Sequence, residues 1–188
     1  ASQRVASVAI RNANDGISSI AIADGALGQI GNVLSRLAEL SEQSANGVYS
    51  TTQRSALQNE FIALGSEIER IAVTTVFNGV TLLSGTPQIS LQVGFNSQST
   101  SQITLSGVSG TLAALGLAQA NTSALTFSIN AATSTEAQSA ARLALDGITG
   151  AITSLAVQRG NLGATESRLT VAIANLAVAR ENFASAES

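Results

Sequence analysis

The chain offers few side chains that could do chemistry. Its ionised groups are twelve carboxylates and nine basic residues, and every basic residue is an arginine. There is no His, no Cys and no Lys. Zinc, haem and thiol sites are therefore effectively excluded, as are a P-loop lysine and a Schiff base. What remains for acid–base work is paired carboxylates, of which Glu67 and Glu69 are the nearest candidates. Such a pair could serve as general acid and base if both oxygens faced one substrate. Two positions apart on a helix they point to different faces, so the reading is against catalysis. Glu67 and Arg70, at i and i+3, instead form a surface ion pair. Asn121-Thr122-Ser123 fits the N-glycosylation triplet, and the Ser/Thr-rich loop 97–101 could bear O-linked glycans; both read more simply as solvated turns.

The elements that must position these groups are long helices. From Ser134 onward, apolar residues recur at Leu145, Ile148, Ile152, Leu155, Leu162, Leu169, Ile173, Leu176 and Phe183. Steps of three and four keep one narrow seam facing a partner helix. Thr133 to Glu136 supplies an N-cap with a capping-box Glu. A helix of this length runs to ~75–80 Å, too long for a compact globule. A second seam runs over residues 2–45: Ile10, Ala13, Ile17, Ile20, Leu27, Ile30, Leu34, Leu37 and Leu40. The skipped beats fall on Asp24 in one seam and on Arg159, Glu166 and Arg180 in the other. Such groups either fix helix register or lie at the seam's edge in solvent. Gly16, Gly25, Gly28 and Gly31 interrupt the first helix without breaking its period, and close helix approach is the expected reason. Asn46-Gly47 stops it. A third helix is expected over roughly Thr52 to Thr75, ended by Asn78-Gly79 and antiparallel to the first.

The period then changes to two. Val80 to Leu82, Ile89 to Val93 and Gln102 to Leu105 alternate as strands, with Pro87 between the first two and a hairpin across 89–105. Leu112 to Leu117 reads as one or two helical turns, and Leu125 to Ile129 as another strand. The expected fold is mainly α with a small β part. Residues 1–79 and 134–188 form an elongated rod of long antiparallel helices, and 80–133 a β-containing lobe.

Composition agrees. Hydrophobic residues make up 45% of the 188 residues but aromatics only 3%, which suits close helix–helix contact. A net charge of −3 gives no electrostatic footprint for nucleic acid. No uninterrupted apolar run reaches eighteen residues, so no membrane span is expected. The first residue is not Met, and the chain reads as a trimmed piece without a secretory signal.

Several ordered segments resemble bacterial flagellins. Arg11-Asn12-Ala13-Asn14-Asp15-Gly16-Ile17-Ser18 is one. Glu39-Leu40 followed by Gln43-Ser44-Ala45-Asn46 is similar to the end of the family's first rod helix. Leu57 to Phe61, Glu67 to Ala72, Thr75 and Phe77-Asn78-Gly79 are similar to the next helix and its turn. Arg159 to Ala164 and Arg168-Leu169 are similar to the C-terminal helix. No one of these motifs is specific, but together, in order and at family spacing, they span nearly the whole chain.

The resemblance implies the D1 rod of a flagellin, lacking the family's terminal D0 segments. It implies a structural subunit of the flagellar filament: extracellular, self-assembling, used for motility, and without cofactor or metal. Implied partners are other flagellin subunits, the flagellar export chaperone and the filament cap. Flagellin D1 is also recognised by animal Toll-like receptor 5. The matching positions here, Arg36, Leu40 and Glu60, are the candidate contact residues for receptor or subunits. The alternative class is a flagellin-like surface adhesin that binds polysaccharide; the absence of Trp and the single Tyr, Tyr49, give it little platform.

Overall fold

Apolar residues recurring at helical spacing bury one stripe of each long helix. In the computed structural model, which describes residues 2–85, 89–106 and 108–187, this produces three helices: α1 Ser2–Ala45, α2 Thr51–Thr74 and α3 Ser134–Glu187. α1 and α3 share the longest interface, running antiparallel, and α2 folds back along α1. The expected rod of residues 5–40 against 145–183 is present.

Both seams begin with small residues and carry larger ones toward the C-terminus of their helix. On α1 the buried face is Ala6, Ala9, Ala13, Gly16, Ile20, Ala23, Leu27, Ile30, Leu34, Leu37 and Leu40. On α3 it is Ala137, Ala141, Ala144, Ile148, Ala151, Leu155, Gln158, Leu162, Leu169 and Leu176. Ala144 and Ala151 thus take beats expected of Leu145 and Ile152, and Ile152 is 37% exposed. Alanine at these beats lets two backbones approach where two large side chains would collide. Asp24, Arg159, Glu166 and Arg180 lie at or beyond the seam's edge, not in it. α1 and α3 also each hold an eighteen-residue window of mean hydropathy 1.2 and 1.3. By length and composition those windows are apolar enough to cross a membrane, so the absence of a long apolar run does not exclude a span. Each of these helices nonetheless buries one continuous apolar seam against the other, in the pattern of helices packed together.

The helix ends differ from expectation in informative ways. α2 begins one residue early because Ser50 and Gln53 form a reciprocal capping box. α3 starts with the Thr133–Glu136 box, as expected. α2 ends at Thr74, and Asn78-Gly79 forms a hairpin turn instead of a helix stop. Both residues have positive φ, 49° and 77°, and connect β1 Val76–Phe77 to β2 Val80–Thr81. β3 Ile89–Gln92 and β4 Gln102–Leu105 pair antiparallel in the register Ile89↔Leu105, as the alternation required. Leu125 to Ile129 is not a strand. It runs irregularly, with one bridge between Ala118 and Leu125, because its carbonyls and amides bond to side chains and turns. Leu112 to Leu117 makes a single closed turn. Pro87 lies outside the described residues.

The β3–β4 hairpin seats on the groove between α1 and α3. Gly16 is the reason it fits: a Cβ there would lie 2.2 Å from Leu91 Cδ1 and 3.1 Å from Leu169 Cδ1. Asn12 fixes the seat by donating to the Gln92 carbonyl at 3.0 Å. Buried residues of the helices and of 82–129 form one continuous cluster.

Candidate interaction surfaces

The three residues carried over from the family lie close together but play unequal parts. Arg36 Nε donates to Glu60 Oε1 at 2.8 Å, joining α1 to α2, and Arg36 Nη1 donates to Glu39 Oε2 at 2.8 Å. Both Arg36 and Glu60 side chains are nearly half exposed. The hydrogen bonds to Glu60 and Glu39 hold the guanidinium charged well above its ordinary range. Leu40, one turn further on, is fully buried and offers no surface to a partner. What this site presents outward is an arginine held between two carboxylates.

A second cross-helix contact unites two of the skipped seam beats. Arg159 on α3 makes a bidentate pair with Asp24 on α1, at 2.7 and 3.0 Å. The hydrogen bond from Arg159 lowers the Asp24 carboxyl below its usual range, against a smaller opposing effect of burial. Glu166 and Arg180 make no ion pair among the described residues.

The carboxylates considered for catalysis diverge as a helix requires. Glu67 pairs with Arg70 at 2.7 Å on the surface. Glu69 turns the other way and accepts from the Leu112 amide at 2.9 Å, holding the loop that returns across the rod. Among the described residues no group of three or more His, Cys, Asp or Glu could hold a metal.

One buried charge was not anticipated from sequence. Arg54, fully buried on α2, donates to the carbonyls of Ser44, Asn46 and Tyr49 and to Ser134 Oγ at 2.9 Å. A cation at the C-terminus of α1 satisfies carbonyls left without an intrahelical partner and suits the helix dipole. It also corrects the expected glycine stop: Gly47 does not adopt positive φ, and the guanidinium closes the helix instead. The signal available was an arginine one turn into a capped helix, which by pattern alone reads as surface.

The outer face of α3 carries an exposed apolar stripe. Leu143, Val157, Val171 and Val178 are each 59–64% exposed, and all fall on one seven-residue repeat with Gly150 and Ala164 on the intervening beats. It runs parallel to the buried beats Ile148, Leu155, Leu162, Leu169 and Leu176.

Comparison with known proteins fits this architecture. Residues 1–88 match the bacterial flagellin N-terminal helical region and residues 145–188 the bacterial flagellin C-terminal helical region. Polar flagellin F of Vibrio parahaemolyticus is 48% identical over 99 residues, covering 52% of this chain and 26% of that protein. The B-type flagellin of Pseudomonas aeruginosa is 48% identical over 103 residues, covering 54% and 21%. The crystal structure of Bacillus cereus flagellin superposes with a TM-score of 0.71 at 26% identity, covering 88% of each chain. The chain spans about a quarter of the length of the curated relatives it matches. With both helical regions matched in order and a solved flagellin superposed over 88% of the chain, this chain belongs to the bacterial flagellin family.

Proposed function

We propose that this chain is the helical rod of a structural subunit of the bacterial flagellar filament, extracellular and assembling with further copies of itself for motility. The observation that carries the reading is the stripe Leu143, Val157, Val171 and Val178, which is exposed and covered by none of the described residues. Its heptad register repeats that of the buried seam, so the complementary surface is another helix of the same kind. Its intended occupant is therefore a second copy. Covering four such side chains contributes on the order of 1 kcal/mol or more each, repeated at every subunit. A contact between unlike faces propagates as an open helical array.

The test is Val157→Asp with Val171→Asp in the full-length polypeptide. Both positions are solvent-exposed, so the helical circular dichroism of the monomer stays unchanged while sedimentable filament falls at least about tenfold. Filaments forming at the parental rate would sink this reading. The export chaperone and cap are partners expected on the same family grounds.

The site around Arg36 and Glu60 supports a second role, recognition by animal Toll-like receptor 5. Arg36 and Glu60 would make the contacts, with Leu40 setting the helix spacing from beneath. A fixed, charged arginine at a helix–helix ridge is the residue type that dominates binding energy at interfaces. Receptor signalling is expected to fall for Arg36→Ala relative to the parent; a silent parent disposes of the role. Polysaccharide binding has less support, since the hydroxyl of Tyr49, the only tyrosine, accepts from Gln43 Nε2 at 2.8 Å.

A further inference from the structure

Halfway along the rod the construction changes. The Arg36–Glu60 contact sets the antiparallel register of α1 and α2, and α2 ends fourteen residues beyond Glu60, level with Ile22. On one side of that level three helices pack together. On the other side only α1 and α3 continue, covered by the two hairpins.

Both continuing helices are weakened at this level. Gly25 and Gly28 follow Asp24 on α1; Gly160 and Gly163 follow Arg159 on α3. Each glycine removes helix propensity. Some helical glycines have a packing reason, as where Gly16 admits Leu91 and Gly31 lies 3.2 Å from Leu155 by its missing Cβ, though Gly150 on α3 stands in open space. These four have none. A Cβ at any of them would meet nothing within 4 Å, and none has positive φ.

One small and one polar side chain interrupt the core here, between the buried Ile20, Leu27, Leu155 and Leu162. The α1 beat is Ala23 and the α3 beat is Gln158, whose Oε1 accepts from the Ser109 amide at 2.7 Å. A hollow of about 380 Å³ opens beside them, lined by Ile20, Asp24, Arg159, Leu162, Gly163 and Glu166. Across it runs the Asp24–Arg159 pair, the only ion pair between α1 and α3 among the described residues. Because the helices are antiparallel, the α1 glycines lie on one side of that pair and the α3 glycines on the other.

We infer that residues 22–28 and 156–163 form a flexible joint in the rod, at which the three-helix half bends against the hairpin-covered half while the Asp24–Arg159 pair tethers it. Long helices bend where helix-breaking residues gather. The ends of the joint are fixed by well-packed leucines, Leu34 and Leu37 on one side and Leu169 with the hairpin on the other. The joint is a property of this chain by itself and does not rest on its assembly.

Residue-resolved amide exchange tests it. In the parent, amides of 22–28 and 157–163 are expected to exchange faster than those of 34–41 and 141–148 by about tenfold or more. Replacing Gly25, Gly28, Gly160 and Gly163 together by Ala, for which the space is open, slows exchange at the joint by a similar factor and leaves the flanks nearly unchanged. Asp24→Asn accelerates exchange at the joint alone, and added salt mimics it in the parent. Equal protection along both helices of the parent overturns the inference. So does a quadruple variant that slows all amides alike, which would mark a general gain in helix stability with no joint.

Discussion

Replacing Arg54 by Met removes the guanidinium while keeping most of the side chain's volume, and its cost can be worked from its partners. Three carbonyls, of Ser44, Asn46 and Tyr49, lose their donor together with the Ser134 hydroxyl. A buried acceptor left unsatisfied costs about 1–3 kcal/mol; this applies in full to the buried Ser44 carbonyl and only in part to the Asn46 and Tyr49 carbonyls, while Ser134 Oγ still accepts from Gln138, so the sum is about 3–5 kcal/mol. Against this stands the relief of a buried charge that no carboxylate accompanies, worth several kcal/mol before the hydrogen bonds are counted. The hydrogen bonds go to fixed carbonyl dipoles at a helix C-terminus, so they should prevail, with a net destabilisation of about 1–3 kcal/mol. Urea denaturation followed by circular dichroism measures it, with the slope of free energy on denaturant unchanged. Arg54→Lys should fall between parent and Met variant, because an ammonium cannot reproduce the fork that reaches both sides of the α1–α2 connection. A Met variant within about 0.5 kcal/mol of the parent refutes the reasoning: Arg54 would then be tolerated and not structural.

Other outcomes follow from single contacts. Gly16→Ala drives a Cβ into Leu91 and should cost about 1–3 kcal/mol, whereas Gly25→Ala, with open space around it, should stabilise by about 0.5–1 kcal/mol; thermal melts of the two separate packing from propensity. Leu162→Ala, at a fully enclosed beat of α3, should cost about 2–5 kcal/mol by the same denaturation assay. The Asp24 carboxyl is held below its unfolded value by Arg159, so its contribution is present above that value and lost as pH falls through the folded one. Both partners are more than a third exposed, so the effect is well under about 1 kcal/mol; the parent should lose slightly more stability than Asp24→Asn between neutral pH and pH 3.

The period of apolar residues was enough to define the three helices and the β3–β4 hairpin, because burying one face of an element requires its side chains to recur at that element's own spacing. The Thr133–Glu136 cap and the Glu67–Arg70 pair were equally legible, being contacts within one helical turn. What the linear pattern does not contain is which of two adjacent residues faces inward. Ala151 is buried and Ile152 is 37% exposed because of how α3 is rotated against α1, and that rotation belongs to the pair of helices. The same holds for Asp24 and Arg159, two interruptions in separate seams that become one contact only through a register set 135 positions apart. Arg54 is the extreme case. Its environment is made from the end of α1, the α1–α2 connection and the start of α3, and only their convergence turns an ordinary arginine into a buried clasp.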